Sequence, residues 1–173
     1  MATLVVPMAG RSSRYPDLRP KWMLSHPMSN TFMGIAAIQG LNLDFFDKIY
    51  WVTLKEYQEK YQFEQGYLEE LDQVGLKDKS EIVLLDKETS SQSETVYELI
   101  KKKNLEGFIF IKDSDGYYEC ELTDESNQVA YFDLNDMDNI NARSKSYVSL
   151  DHNGVVTNIV EKKVISSTFS SGG

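Results

Sequence analysis

The sequence predicts an α/β fold, an open, mostly parallel sheet with flanking helices, and three observations carry that expectation. Over residues 1–112, short β-rich runs alternate with stretches of helical periodicity, the rhythm of consecutive βαβ units. The β-rich runs are continuously apolar and do not alternate, as strands buried on both faces of a parallel sheet require. One helical stretch also carries its own start signal, Ser91 with Glu94 three residues on, the pattern of a capping box.

Taken in order, the first strand is Thr3 to Pro7, built on Leu4-Val5-Val6, and a loop separates it from a helix expected over about Thr31 to Leu41. Lys48 to Thr53 is the second strand. Lys55 to Val74 reads as helical, because Tyr57, Tyr61, Leu68 and Leu71 recur near helical spacing. The strand Glu81 to Leu85 follows, then the helix Gln92 to Lys103, which Gly107 is expected to end before the strand Phe108 to Lys112. Open α/β sheets bind ligands at the carboxyl ends of their strands. Here those ends are the loops that begin at Met8, at Leu54, after Leu85 and at Asp113.

Beyond Asp113 the rhythm changes to short β segments. Ser146 to Leu150 and Val155 to Val160 flank Asp151-His152-Asn153-Gly154, an Asn-Gly hairpin signal. From Asp113 to Ala142 there are nine acidic residues and no basic one, a pattern that suits a solvated β insertion better than a calcium site.

The 173 residues fit one domain, expected over 1–173, and 41% hydrophobic content is ordinary for a folded chain. Eighteen basic against twenty-seven acidic residues give a net charge of −9, which repels a phosphate backbone and disfavours a nucleic-acid partner. No stretch approaches the length of a membrane span, so no membrane partner is expected. Cys120 is the only cysteine, which excludes an intrachain disulfide and, with the missing leader, points to the cytoplasm. Positive charge is concentrated near the start, where Arg11, Arg14, Arg19 and Lys21 face only Asp17.

That basic cluster surrounds the loop after the first strand. Met8, Ala9, Gly10, Arg11, Ser12 and Ser13 place small residues at a strand's carboxyl end, where backbone N–H groups can turn toward phosphate. Arg14 can add a forked, permanently charged donor and Lys21 a compact one. The loop is neither a Walker A motif nor a dinucleotide fingerprint, since only Gly10 of the required glycines is present. By itself it leaves a structural turn and a phosphate site equally open. At the carboxyl end of another strand, Asp113 and Asp115 follow a buried run, and paired oxygen ligands at a strand end suit Mg²⁺, although an Asx-rich turn into Gly116 would look the same.

The string Val5-Val6-Pro7-Met8-Ala9-Gly10-Arg11-Ser12-Ser13-Arg14 followed by Pro20-Lys21 resembles the signature of the sugar-phosphate nucleotidyltransferase family, commonly Ala-Gly-x-Gly-x-Arg and then Pro-Lys-Pro. Ser12 stands where that pattern has its second glycine, and Trp22 where it has its second proline. The resemblance runs from Leu4 to Gly173 and implies the Rossmann-like fold of the nucleotide-diphospho-sugar transferases. It also implies that the loop wraps a nucleoside triphosphate and that Arg14 and Lys21 contact the phosphates. Three further segments fall in the family's order. Glu88 to Thr95 resembles the segment that meets the base, with Gln92 as its reader. Asp115 aligns with the metal-holding aspartate, with Asp113 as a helper. Glu161-Lys162-Lys163 resembles the family's Glu-Lys-Pro element, implying that Glu161 contacts acceptor hydroxyls and Lys162 the acceptor phosphate.

What the resemblance implies is transfer of a nucleoside monophosphate from a triphosphate to a sugar 1-phosphate or similar acceptor, with Mg²⁺ as cofactor and pyrophosphate released. Arg14, Lys21 and Lys162 would supply the cationic frame. Nucleotide-sugar supply for surface polysaccharide is the implied setting, and a homo-oligomer is compatible with it. Relatives usually continue past the position of Gly173, so the sequence reads as lacking its C-terminal portion. Two rivals stay open, a nucleotide-sugar-dependent glycosyltransferase that uses the two aspartates, and a catalytically inactive nucleotide-binding module.

Overall fold

Four of the apolar runs become the strands β1 (Ala2–Pro7), β2 (Lys48–Leu54), β3 (Ser80–Leu85) and β4 (Phe108–Ile111) of one sheet in a computed structural model of the chain. The structure describes residues 1–10, 18–122, 126–136, 146–161 and 163–171. They fall into two compact units, Met1–Glu125 and Ser126–Gly173.

In the first unit the strand order is β3-β2-β1-β4, and all three pairings are parallel. The chain steps outward from β1 to β3 and then crosses back to lay β4 on the free side of β1. Parallel neighbours need such crossovers, and their helices cover both faces. On one face Leu4, Val6, Ile49 and Trp51 pack with Ile35 and Ile38 of α1 (Met33–Ile38) and with Tyr67 and Leu71 of α3 (Glu64–Gln73). On the other, Val5, Val52 and Val83 pack with Val96 and Leu99 of α4 (Gln92–Lys103). Two-sided burial is why β1 is buried at every position and why its sequence does not alternate.

Three helical expectations are corrected. The helix expected over Thr31 to Leu41 covers only Met33–Ile38, because both ends are drawn into β-bridges: Phe32 pairs with Ser25 and Leu41 with Cys120. The single helix expected over Lys55 to Val74 is two, α2 (Lys55–Tyr61) and α3. Gln62 turns left-handed at φ 49°, which carries Phe63 into the core edge-on against Trp22, ring centroids 4.9 Å apart. Neither proline nor glycine marks that break, so periodicity alone runs through it. The helix α4 spans Gln92–Lys103 as expected, and only its cap is corrected: it is Asn104, left-handed at φ 49°, and not Gly107, whose φ of 91° serves the entry into β4.

The second unit is antiparallel. Its strands β5 (Tyr131–Asp133), β6 (Ser146–Leu150), β7 (Val156–Glu161) and β8 (Phe169–Ser171) lie in the order β5-β8-β6-β7. The expected hairpin is β6-β7. Its turn closes through Asp151, whose Oδ1 accepts from the backbone N–H of Asn153 and of Val155, both at 2.9 Å, while Gly154 takes φ 79°. The acidic stretch after Asp113 is not one β insertion. Its first part stays in the first unit, where Leu122 is buried and Tyr118 and Cys120 pack against the core. Among the described residues only β5 and the turn Leu134–Asp136 give its later part regular structure.

Candidate functional site

Open α/β sheets take ligands where the strand order reverses. Because β1 leads to β2 on one side while β4 lies on the other, the carboxyl ends of β1 and β4 form the topological switch point of this sheet. Val5 pairs with Ile111, and the Lys112 N–H still donates to Val5 O at 3.0 Å. The segments starting at Met8 and at Asp113 therefore leave the sheet side by side.

On the β1 side, Met8 and Ala9 are buried. The Met8 N–H donates to Val52 O at 2.7 Å, so this residue forms the floor of the loop and not a free amide. Gly10 is exposed, and among the described residues nothing would meet a Cβ there within 4 Å. Its carbonyl is tied down by the Tyr57 hydroxyl at 3.3 Å. Lys21 opens the turn Lys21–Met23. Trp22, 3% exposed, pins that turn between Phe63 and Tyr67. The indole therefore does the anchoring at the position where the family pattern carries proline, and leaves the preceding lysine facing outward.

On the β4 side, Asp115 meets that lysine: Lys21 Nζ donates to Asp115 Oδ2 at 2.5 Å. The two side chains are 44% and 37% exposed, so water competes with the pair, and exposed pairs of this kind are worth at most about 1 kcal/mol. It can open cheaply when a stronger anion or cation arrives. Asp113 is engaged differently. Its carboxylate pairs with the ammonium of Lys112, a fully buried lysine that also donates to Gly116 O at 2.6 Å and lies 4.3 Å from the centre of the Tyr118 ring. Burial first, then the negative charge of Asp113, pushes the Tyr118 phenol well above its ordinary range, so it stays neutral.

At the β3 end, α4 starts at the same edge of the sheet. Ser91 caps it by accepting from the Glu94 N–H at 3.2 Å, and Glu94 reaches back to the Ser90 amide at 2.5 Å and hydroxyl at 2.6 Å. Those two donors hold the Glu94 carboxyl below its usual range. Gln92, the first helical residue, is exposed.

Solved structures share the fold. A nucleoside-diphosphate-sugar pyrophosphorylase from Vibrio cholerae RC9 superposes with a TM-score of 0.62 at 21% identity, over 96% of this chain and 70% of that one. An inositol-1-phosphate CTP transferase from T. maritima gives a TM-score of 0.68 at 12% identity, over 99% of this chain and 68% of that one. This chain has their fold. No family model and no curated protein matches the sequence.

Within the shared fold, Lys21 and Asp115, far apart in sequence, are in contact, and Met8, Ala9, Gly10 and Asp113 stand at the adjoining strand ends. Gln92 stands at the same edge, beyond β3. Glu161 ends β7 in the second unit. Arg11, Ser12, Ser13, Arg14 and Lys162 lie outside the described residues. Among the described residues no three His, Cys, Asp or Glu side chains gather as a metal cluster, and no helix is long and apolar enough to cross a membrane. No site role for Tyr57, Lys112 or Tyr118 was read from the sequence. A lysine closing an apolar strand was the one available signal for Lys112.

Proposed function

We propose that this chain is a nucleotidyltransferase that moves a nucleoside monophosphate from a nucleoside triphosphate to a phosphorylated small molecule, with a sugar 1-phosphate as the leading acceptor class. The observation that carries the proposal is the meeting of Lys21 and Asp115 at the switch point of an α/β sheet. A switch point is where such sheets take their ligands. A cation and a carboxylate poised there, joined by a weak and exposed pair, suit a site that exchanges one partner for another. The fold shared with a pyrophosphorylase and a CTP transferase supports the same assignment.

In this proposal the backbone after β1, from Met8 through Ser13, wraps the triphosphate, Arg14 and Lys21 neutralise its charge, and Gln92 reads the base edge. Glu161 and Lys162 take the acceptor. Asp115 is the main carboxylate for Mg²⁺; Asp113, already held by Lys112, is the less available of the two. The donor set fits that ion. Asp115 is exposed, offers only oxygen, and already holds a cationic group in the Lys21 ammonium, and Mg²⁺ is commonly bound by one or two carboxylates with substrate phosphates completing its shell. Bound there, the metal would offset the negative charge that builds up at the phosphates.

The reaction needs no protein nucleophile. An oxygen of the acceptor phosphate forms the new bond to the α-phosphorus, the bond from that phosphorus to the bridging oxygen breaks, and pyrophosphate leaves with the electron pair. The side chains position the reactants in line and hold cationic groups against the crowded phosphates. A glycosyltransferase that needs both aspartates on one metal is less well served, because the Asp113 carboxylate is on Lys112. Nucleotide-sugar supply for surface polysaccharide, in the cytoplasm, is the setting we assign.

The test is a pyrophosphate-release screen of the four common triphosphates against sugar 1-phosphates, inositol 1-phosphate and choline phosphate, with Mg²⁺. One pair giving release that disappears in the Asp115→Asn variant is the expected result. Thermal shifts with nucleotide but no release for any pair would instead identify a binding module.

A further inference from the structure

We propose that Lys112 is a positioning residue for the metal-binding carboxylate: residues 113–118 are wound around its ammonium, and that winding sets where Asp115 points. The proposal rests on the assignment of Asp115 made above. Along β4 the side chains of Phe108 and Phe110 pack on the core face that holds Trp51 and Tyr67. The two-residue period of a strand puts Lys112 on the same face, where an aliphatic residue would be expected, and Lys112 is 0% exposed.

An ammonium out of water is costly unless its donors are all met. Here the partners come from one short stretch of chain: the Asp113 carboxylate, the Asp113 carbonyl at 3.3 Å, the Gly116 carbonyl at 2.6 Å, and the face of Tyr118. These contacts bracket Asp115 on both sides in sequence. The turn is also tight, since a Cβ on Gly116 would fall 2.9 Å from Asp113 Oδ2. Among the described residues, Asp115 itself is held from outside only by the exposed bond to Lys21. Its backbone is therefore fixed from inside by a hub that an apolar residue of the same volume would fill at lower desolvation cost but could not replace as a ligand for two carbonyls.

The experiment is a Mn²⁺ titration, read by electron paramagnetic resonance, of the wild-type chain and of Lys112→Met, Gly116→Ala and Asp115→Asn, each first checked for a cooperative thermal transition. Removing an outer partner that orients a metal ligand typically weakens affinity about 10- to 100-fold, and Lys112→Met is expected to fall in that range while still melting cooperatively. Gly116→Ala, which presses on the Asp113 carboxylate and leaves Lys112 in place, is expected to weaken Mn²⁺ in the same direction, and it decides the matter if the methionine variant does not fold. Mn²⁺ affinity within twofold of wild type in folded Lys112→Met, or in Gly116→Ala alone if the former is unfolded, while Asp115→Asn abolishes binding, overturns the positioning role alone. Unchanged affinity in Asp115→Asn removes the metal assignment, and the positioning role with it.

Discussion

Replacing Lys21 with methionine separates a functional cation from a structural one. Among the described residues the lysine makes one ion pair, to Asp115, with the two side chains 44% and 37% exposed. Solvent screening of that order limits the pair to below about 1 kcal/mol, and in a chain of 173 residues this moves the melting temperature by less than about 4 °C. Trp22, which anchors the turn, is left in place. If Lys21 binds phosphate during turnover, the variant loses a charge-assisted hydrogen bond worth roughly 1.5–3 kcal/mol. That corresponds to a drop of roughly 10- to 150-fold in kcat/KM. The measurements are a thermal melt and pyrophosphate release with the substrate pair found by the screen. A melting temperature lowered by 8 °C or so, with kcat/KM unchanged, would refute the reasoning, because it would make Lys21 a structural residue and its meeting with Asp115 a surface accident.

Two further predictions test the frame around the site. Gly40→Ala would place a Cβ 2.3 Å from the Tyr118 carbonyl oxygen, so the 118–120 segment that bridges Leu41 must move; overpacking of this kind costs about 1–3 kcal/mol, and a urea midpoint equal to wild type would contradict the packing described. The Glu94 carboxyl is held below its usual value of 4.5 by the Ser90 hydroxyl and amide, so its stabilising effect is full above that value and fades as the pH falls through the lower folded value. The melting temperature of Glu94→Gln should therefore lie below wild type at pH 7 and converge with it as the pH falls below the lowered folded value, whereas a gap that is constant with pH would show that the charge plays no part.

Much of the fold could be read from local signals. Continuous apolar runs marked the four parallel strands because strands with apolar packing on both faces leave no face to alternate, and the Ser91 and Glu94 pair marked the start of α4 because capping is satisfied within a few residues. The Asn-Gly signal marked the hairpin for the same reason. The break at Gln62 and the shortened α1 were illegible, since each depends on where a distant partner stands: Trp22 for Phe63, Ser25 for Phe32, Cys120 for Leu41.

The candidate site divides along the same line. Sequence by itself supplied the residue types, a small-residue loop with cations at one strand end and two carboxylates at another, because those are properties of short segments. It could not supply their company. Only the tertiary structure decided that β4 returns beside β1, so that Lys21 reaches Asp115, and that Asp113 turns inward to a buried lysine while its neighbour two residues on stays in solvent. Strand order and burial are set by the packing of the whole sheet, and no local pattern encodes which of two nearby carboxylates the core will claim.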